Sequence, residues 1–256
     1  MSLVGEVAIS IRGVSKVFRS GAAKKTVEAL VDIDLDIYRE EFLSIIGPSG
    51  CGKSTLLSII AGLMEPSEGE VILEGGNENS RRPNIGFVFQ DPVLLPWKTV
   101  LENARFPLDI IGDKSKESLD DLSNLLEVAG LKGFENSLPK ELSGGMRQRV
   151  SIVRALSYNP EVLLMDEPFG ALDALTRDKL NQVLLDIWNE RKKTVVFITH
   201  GIDEAVFLSD RVVVMTPRPG KIHDVIEIGL PRPRTKEVRE SPDFLRYTKV
   251  LRDLLG

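Results

Sequence analysis

Hydrophobic and polar positions divide this chain into short strand-like runs separated by longer helical ones. Residues 31–37 alternate strictly, with Val31, Ile33, Leu35 and Ile37 apolar and Asp32, Asp34 and Asp36 between them. A period of two predicts a strand with one wet face, of the kind found in antiparallel sheets. Residues 42–46, 85–89, 162–165, 195–199 and 211–215 are short apolar runs, several rich in β-branched side chains, and predict buried strands. Helical spacing covers residues 54–63, 145–157, 174–190 and 202–208. Strands alternating with helices predict an α/β fold, a mostly parallel sheet covered on both faces. Residues 92–140 break this rhythm. Their clearest helix is 116–129, closed by Gly130, Gly133 and Pro139, and they predict a helical insertion between two strands. Residues 231–234 read as a proline-stiffened linker and 241–255 as a terminal helix. Arg232, Arg234, Lys236 and Arg239 lend that end a basic cast, read as a solvated face.

Composition narrows the function more than the fold. The 256 residues are 42% hydrophobic and 28% charged, enough for a buried core without staples. A single cysteine, Cys51, excludes an intramolecular disulfide and a Cys-rich zinc site. Two histidines, His200 and His223, argue against a histidine metal centre. Net charge is −5, the wrong sign for a typical nucleic-acid binder, so no nucleic-acid partner is expected. The most apolar run, 55–64, is too short to cross about 30 Å of hydrocarbon. Residues 1–10 show no basic region followed by an apolar stretch, so no secretory signal is read there. A reduced, cytoplasmic setting is the expectation.

Candidate chemistry starts at Gly47-Pro48-Ser49-Gly50-Cys51-Gly52-Lys53-Ser54-Thr55, which fits G-x-x-x-x-G-K-[ST] between a predicted strand and a predicted helix. Glycines let backbone N–H groups converge on a polyphosphate, and the helix adds its positive end. Lys53 would reach the β- and γ-phosphates and the Ser54 hydroxyl would ligate Mg²⁺. Cys51 reads as a small filler whose backbone does the binding, with a reactive thiol as the alternative. The strand 162–165 ends in Asp166 and Glu167, placed to hold Mg²⁺ from its outer shell and to polarise an attacking water. In Leu142-Ser143-Gly144-Gly145-Met146-Arg147-Gln148, Ser143 reads as an N-cap and the glycines bare a second anion site. Two phosphate cradles in one chain are explained by a dimer in which each faces the partner's nucleotide.

With these segments in place, the chain resembles the nucleotide-binding subunit of an ATP-binding cassette (ABC) transporter over residues 7–230. The resemblance implies a P-loop core with an N-terminal antiparallel β subdomain and an inserted helical subdomain. It gives one domain over 1–256, with core segments 1–91 and 155–230, helical segment 92–154 and terminal helix 231–256. Gly47 to Thr55 would be Walker A, 162–166 Walker B, Glu167 the catalytic glutamate, and 142–148 the signature, binding nucleotide through Ser143, Gly144 and Gly145. Gln90 matches the Q-loop glutamine, a catalytic and metal-facing residue. Ala171-Leu172-Asp173 matches the D-loop, with Asp173 near the nucleotide, and His200 the switch histidine. Phe18 would stack on adenine, with a core aromatic as the alternative. Segments 94–103, 168–177 and 216–220 are similar to importers of nitrate, sulfonates, taurine and related anions, and are expected to meet partners and the dimer mate. Trp97 there is either a partner-facing aromatic or a core tryptophan.

Implied cofactors are ATP and Mg²⁺. Implied partners are a second copy in the ATP-bound state, a transmembrane permease and, through it, a solute-binding protein. The implied place is peripheral, on the cytoplasmic face of the cell membrane. The rival readings are another ABC transporter, including an exporter, and a soluble ABC ATPase of DNA maintenance, ribosome or cluster-assembly work.

Overall fold

The computed structural model describes residues 5–19, 26–74, 84–170 and 172–256. In chain order the elements are β1 (Val7–Arg19), β2 (Thr26–Tyr38), β3 (Phe42–Ile46), α1 (Lys53–Ile60), β4 (Glu68–Leu73) and β5 (Ile85–Val88). Then come α2 (Val100–Ile111), α3 (Lys116–Val128), α4 (Gly144–Leu156), β6 (Val162–Asp166), α5 (Ala174–Glu190) and β7 (Thr194–Ile198). The chain ends with α6 (Ile202–Leu208), β8 (Arg211–Met215), β9 (Ile222–Glu227) and α7 (Pro242–Leu255). They form two compact units, residues 1–83 with 194–256, and residues 84–193.

The first unit holds an antiparallel sheet in the order β2-β1-β4. Beside it, β3 lies parallel between β7 and β8, with β9 antiparallel on β8. Every residue of β3 and β7 is buried, the pattern of strands covered on both faces. Phe42 and Phe197 meet at 5.9 Å between ring centroids, a tilted pair adding roughly 1 kcal/mol to the burial. Ser44, buried in β3, keeps its hydroxyl 2.5 Å from that of Ser209, so the polar atom is satisfied. Helix α1 packs on β7 and β2, α6 on β3, and α7 on α6 and β8.

The alternation in β2 slips by one place. Leu30, Ile33, Leu35 and Ile37 are buried, whereas Val31 is only half-buried and Asp32 has φ +49°. The β1–β2 register shifts at this point, between Val14↔Ile33 and Lys16↔Leu30, and Asp32 N–H donates to Ser15 Oγ at 3.0 Å. This is a bulge, and a bulge re-aims the residues beside it.

The second unit pairs β5 and β6 in parallel and packs α4 against α2, α3, α5 and β5. Thr99 and Glu102 close a capping box on α2, while Ser115 caps α3. The strands β1, β4 and β9 carry mixed polar sequences, β4 and β9 being largely exposed or half-buried, and no apolar run announced them. Among the described residues no helix is long and apolar enough to cross a membrane.

The basic stretch near the end is a solvated face only in part: Lys236 is exposed, Arg232 and Arg239 are half-buried and Arg234 is buried. Arg234 is 1% exposed and donates to the carbonyls of Val206, Phe207, Ser209, Ile228 and Leu230 at 2.8–3.3 Å. Burial lowers its pKa to about 9. Arg232 donates to Asp210 and to Leu208 O. Carbonyls left over at the end of α6 supply the partners that make an arginine tolerable inside. Arg234→Ala strips the bonds from those buried carbonyls, and urea denaturation should show a loss of about 3 kcal/mol or more.

Candidate functional site

The phosphate loop sits in the first unit, between the buried strand β3 and helix α1. Gly50 and Gly52 adopt φ +73° and +110°, a region that side chains rarely occupy. A Cβ on Gly52 would also lie 2.7 Å from Leu30 Cδ2 and 2.9 Å from Ala29 O, so the β2 bulge region packs directly behind the loop. Lys53 is 4% exposed and donates to Gly47 O at 2.9 Å and Pro48 O at 3.1 Å. Its amine therefore folds over the loop. Ser54 is exposed at the start of α1, Thr55 is half-buried, and Ser49 is exposed on the loop. Cys51 is 1% exposed, and a Cβ on Gly47 would lie 3.0 Å from its Sγ, so the thiol is tucked inside and only the backbone can face a ligand.

The N-terminus of α1 is distinctive. Its N-cap, Gly52, makes no side-chain cap, whereas Thr99, Ser115, Ser143, Asp173 and Ser241 cap the other described helices of eight or more residues. Backbone donors at a helix start need a partner, and here the helix end is built for an anion to supply it. Polyphosphate fits this cradle.

Also in the first unit, Phe18 is 40% exposed with Lys16 Nζ 5.5 Å from its ring centroid, an available aromatic face and not a core residue. Residues 20–25, which lengthen the chain between Phe18 and the loop, lie outside the described residues. His200 is exposed just after β7. It is bracketed by a network that sequence reasoning missed: Thr199 Oγ1 donates to Glu204 Oε2 and accepts from Gly201 N–H at 2.9 Å. Thr199 and Glu204 are both buried. A Thr and a Glu five positions apart carry no signal in sequence beyond spanning the start of a helix.

The second unit carries the acidic strand end and the signature segment. Asp166 closes β6 half-buried, and Glu167 follows with φ +45°. That conformation costs a non-glycine residue on the order of 1–2 kcal/mol and is held by the turn bond from Gly170 N–H to Glu167 O at 3.0 Å. Ser143 caps α4, accepting from Met146 N–H at 3.2 Å. Gly144 lies beside Leu172, and a Cβ on Gly145 would come within 2.8 Å of Thr176 Cγ2, so glycine lets α4 approach the start of α5. Asp173 caps α5, and the Thr176 hydrogen bonds hold its carboxyl below the usual carboxylate range. Ala171 lies outside the described residues.

Gln90 is exposed in the bend after β5. Helix α4 reaches the same stretch with two side chains: Gln148 Nε2 donates to Phe89 O at 3.5 Å, and Arg154 donates to Pro92 O and Val93 O at 3.0 and 2.8 Å. Trp97 is 72% exposed, which removes the core reading. The loop around it is pinned by Asn103, fully buried, whose amide donates to the carbonyls of Leu95, Lys98 and Thr99.

No group of three or more His, Cys, Asp or Glu side chains among the described residues could hold a metal ion. Magnesium bound with a nucleotide needs only one or two protein oxygens, with phosphates and water completing the octahedron. Within the first unit, the exposed Ser54 hydroxyl at the start of α1 offers such an oxygen.

A glycine-rich cradle opening an uncapped helix defines a P-loop nucleotide-binding protein. The profile of the ABC transporter family matches residues 30–170, and the chain belongs to that family. It is 48% identical to an uncharacterized ABC transporter ATP-binding protein of Methanocaldococcus jannaschii, over 98% of this chain and 92% of the relative. It is 51% identical to the aliphatic sulfonates import ATP-binding protein SsuB of Bacillus cereus, over 90% of each chain. Among solved structures, the dimeric ABC transporter cassette MJ0796 is similar at 37% identity and TM-score 0.74, covering 87% of this chain and all of that one. A post-hydrolysis dimer of the same cassette bound to ADP and Pi gives TM-score 0.73.

The network beside His200 can be tested without nucleotide. Thr199→Val leaves the buried Glu204 carboxylate short of a donor, and stability to urea should fall by about 1–3 kcal/mol. Thr199→Ser, which keeps the hydroxyl, should recover most of it.

Proposed function

We infer that this chain is the ATP-hydrolysing subunit of an ABC importer, working as a pair on the cytoplasmic face of a membrane permease. The observation that carries the nucleotide reading is the uncapped start of α1 behind a loop closed by Lys53. When bound, ATP supplies the phosphoanhydride bond and its Mg²⁺ neutralises charge on the β- and γ-phosphates. Backbone N–H groups of Gly50, Cys51, Gly52, Lys53 and Ser54 hold the phosphates, and the Lys53 amine swings from the loop carbonyls onto them. Ser54, Asp166 and Gln90 are the residues that would hold the metal. Glu167 would orient and polarise the attacking water, Gln90 and His200 would assist at the reacting phosphate, and Phe18 would offer its ring to the base. Ser143 accepts its cap bond from Met146 and so retains its hydroxyl proton. In the pair, that proton and the N–H groups of Gly144 and Gly145 serve the nucleotide on the partner, beside Asp173.

The relation to SsuB supports import, with a small anionic solute of the sulfonate, nitrate or taurine kind as cargo. The permease supplies the path, and a solute-binding protein supplies recognition. Exposed Trp97, on a loop pinned by Asn103, suits the permease contact.

Glu167→Gln should keep ATP affinity while cutting turnover by roughly 10²–10⁴-fold, and should trap an ATP-bound dimer visible by size-exclusion chromatography. Near wild-type turnover would move the base elsewhere. Lys53→Ala should instead weaken nucleotide binding. Because each site is shared, specific activity should also climb with protein concentration; a flat dilution series with no dimer at any point would sink the paired site.

A further inference from the structure

The segment Thr216-Pro217-Arg218-Pro219-Gly220 stood out in sequence, yet none of the nucleotide chemistry above uses it. It does not simply face outward. Arg218 Nε and Nη2 both donate to the carbonyl oxygen of Gly50, each at 3.1 Å. A Cβ on Gly50 would lie 3.2 Å from Arg218 Nη2, so the guanidinium rests directly on the loop. The turn that carries Arg218 is itself anchored. Gly220 N–H donates to Ala29 O at 2.9 Å and Val31 N–H donates to Gly220 O at 3.0 Å, tying it to the β2 bulge. Thr216 Oγ1 donates to Pro219 O at 3.2 Å and accepts from Lys221 N–H at 3.0 Å. Gly220 packs so closely that a Cβ there would strike Cys51 O.

We propose that Arg218 is a positioning residue for the phosphate loop, fixing the Gly50–Cys51 peptide in its nucleotide-receiving orientation. A trans peptide is planar, and its N–H points opposite to its C=O. Holding Gly50 O against the anchored turn therefore aims Cys51 N–H into the bend of the loop, where it now meets Pro48 O at 3.3 Å. Glycine at position 50 has the freest backbone of any residue type, so an unheld peptide there would sample other orientations. A forked guanidinium restrains it better than a lysine, whose ammonium is a point charge on a flexible stem. The restraint acts before nucleotide arrives, so it favours bound ground state and transition state alike; losing it raises KM and leaves kcat nearly unchanged.

This inference rests on the nucleotide reading above, and its test separates the two. Cys51 is the single cysteine, buried beside Gly50, and reports on the empty loop. In Arg218→Ala without nucleotide, thiol labelling of Cys51 should run at least about fivefold faster than in wild type. In titrations the Kd for Mg·ATP should rise about tenfold, with kcat within about twofold of wild type. Millimolar guanidinium should reverse both changes, while sodium chloride at the same ionic strength should not. Arg218→Lys should resemble Arg218→Ala. Unchanged labelling or an unchanged Kd in Arg218→Ala, a wild-type Kd in Arg218→Lys, or changes that guanidinium does not reverse would each overturn the role of Arg218. Failure of the wild-type protein to bind Mg·ATP would instead overturn the nucleotide reading, and this inference with it.

Discussion

The first unit is organised around a helix start left open. A helix start with no side-chain cap forgoes the hydrogen bond that a capping side chain supplies, and leaves that role to a bound anion. The cost is offset behind the loop. Leu56, Leu57, Ile59 and Ile60 bury one side of α1, and at roughly 1.5–3 kcal/mol per fully buried aliphatic side chain they outweigh a missing cap worth about 1 kcal/mol. The loop is likewise supported by groups that leave its front clear. Lys53 closes onto Gly47 O and Pro48 O, Leu30 packs against Gly52, and every residue of β3 is buried beneath.

Helix α4 meets the opposite requirement. Its start is capped, so the second unit holds a stable end whose Ser143 hydroxyl is exposed and keeps a proton to donate. Its body then carries polar side chains inward. Gln148 is 2% exposed and Arg154 loses part of its basicity to burial, yet both spend their donors on backbone carbonyls of residues 89, 92 and 93. Val93 has φ +41°, an unfavourable conformation for a β-branched residue, and its carbonyl is one of those bound. One helix thus fixes both the capped segment that opens at Ser143 and the stretch that follows Gln90. A side chain that displaced Arg154 would relax residues 92–93 without touching Ser143.

How much of this was legible in sequence follows from physical scale. Buried parallel strands declare themselves by composition, and 42–46, 162–165 and 211–215 were placed to within a residue. The phosphate loop and the signature segment declare themselves because the chemistry demands glycine and a hydroxyl at fixed offsets. Strands β4 and β9 did not, since edge strands with exposed polar faces have no periodicity to distinguish them from loops. The slip at Asp32 was hidden as well, because a bulge inserts one residue without changing which residue types are present. Arg234 was misread for a deeper reason: an arginine's composition signals solvent, and only the five carbonyls that converge on it make burial the better state.

The bulge and the Thr216–Gly220 turn show why a motif alone underdetermines a phosphate loop. Gly47 to Thr55 specify the residues that can adopt the cradle, but glycine-rich backbone is also the backbone with most to lose in conformational entropy. Something outside the motif must select one conformation. Here Ala29 and Leu30 arrive from a strand whose register slips two residues later, and Arg218 and Gly220 arrive from a turn 168 residues beyond Gly50. These two elements also bond to each other through Gly220 and residues 29 and 31, so the support behind the loop is continuous. A change in either element would be transmitted to the cradle while leaving the motif intact, which makes residues 29–32 and 216–220 part of the nucleotide site in every sense except contact.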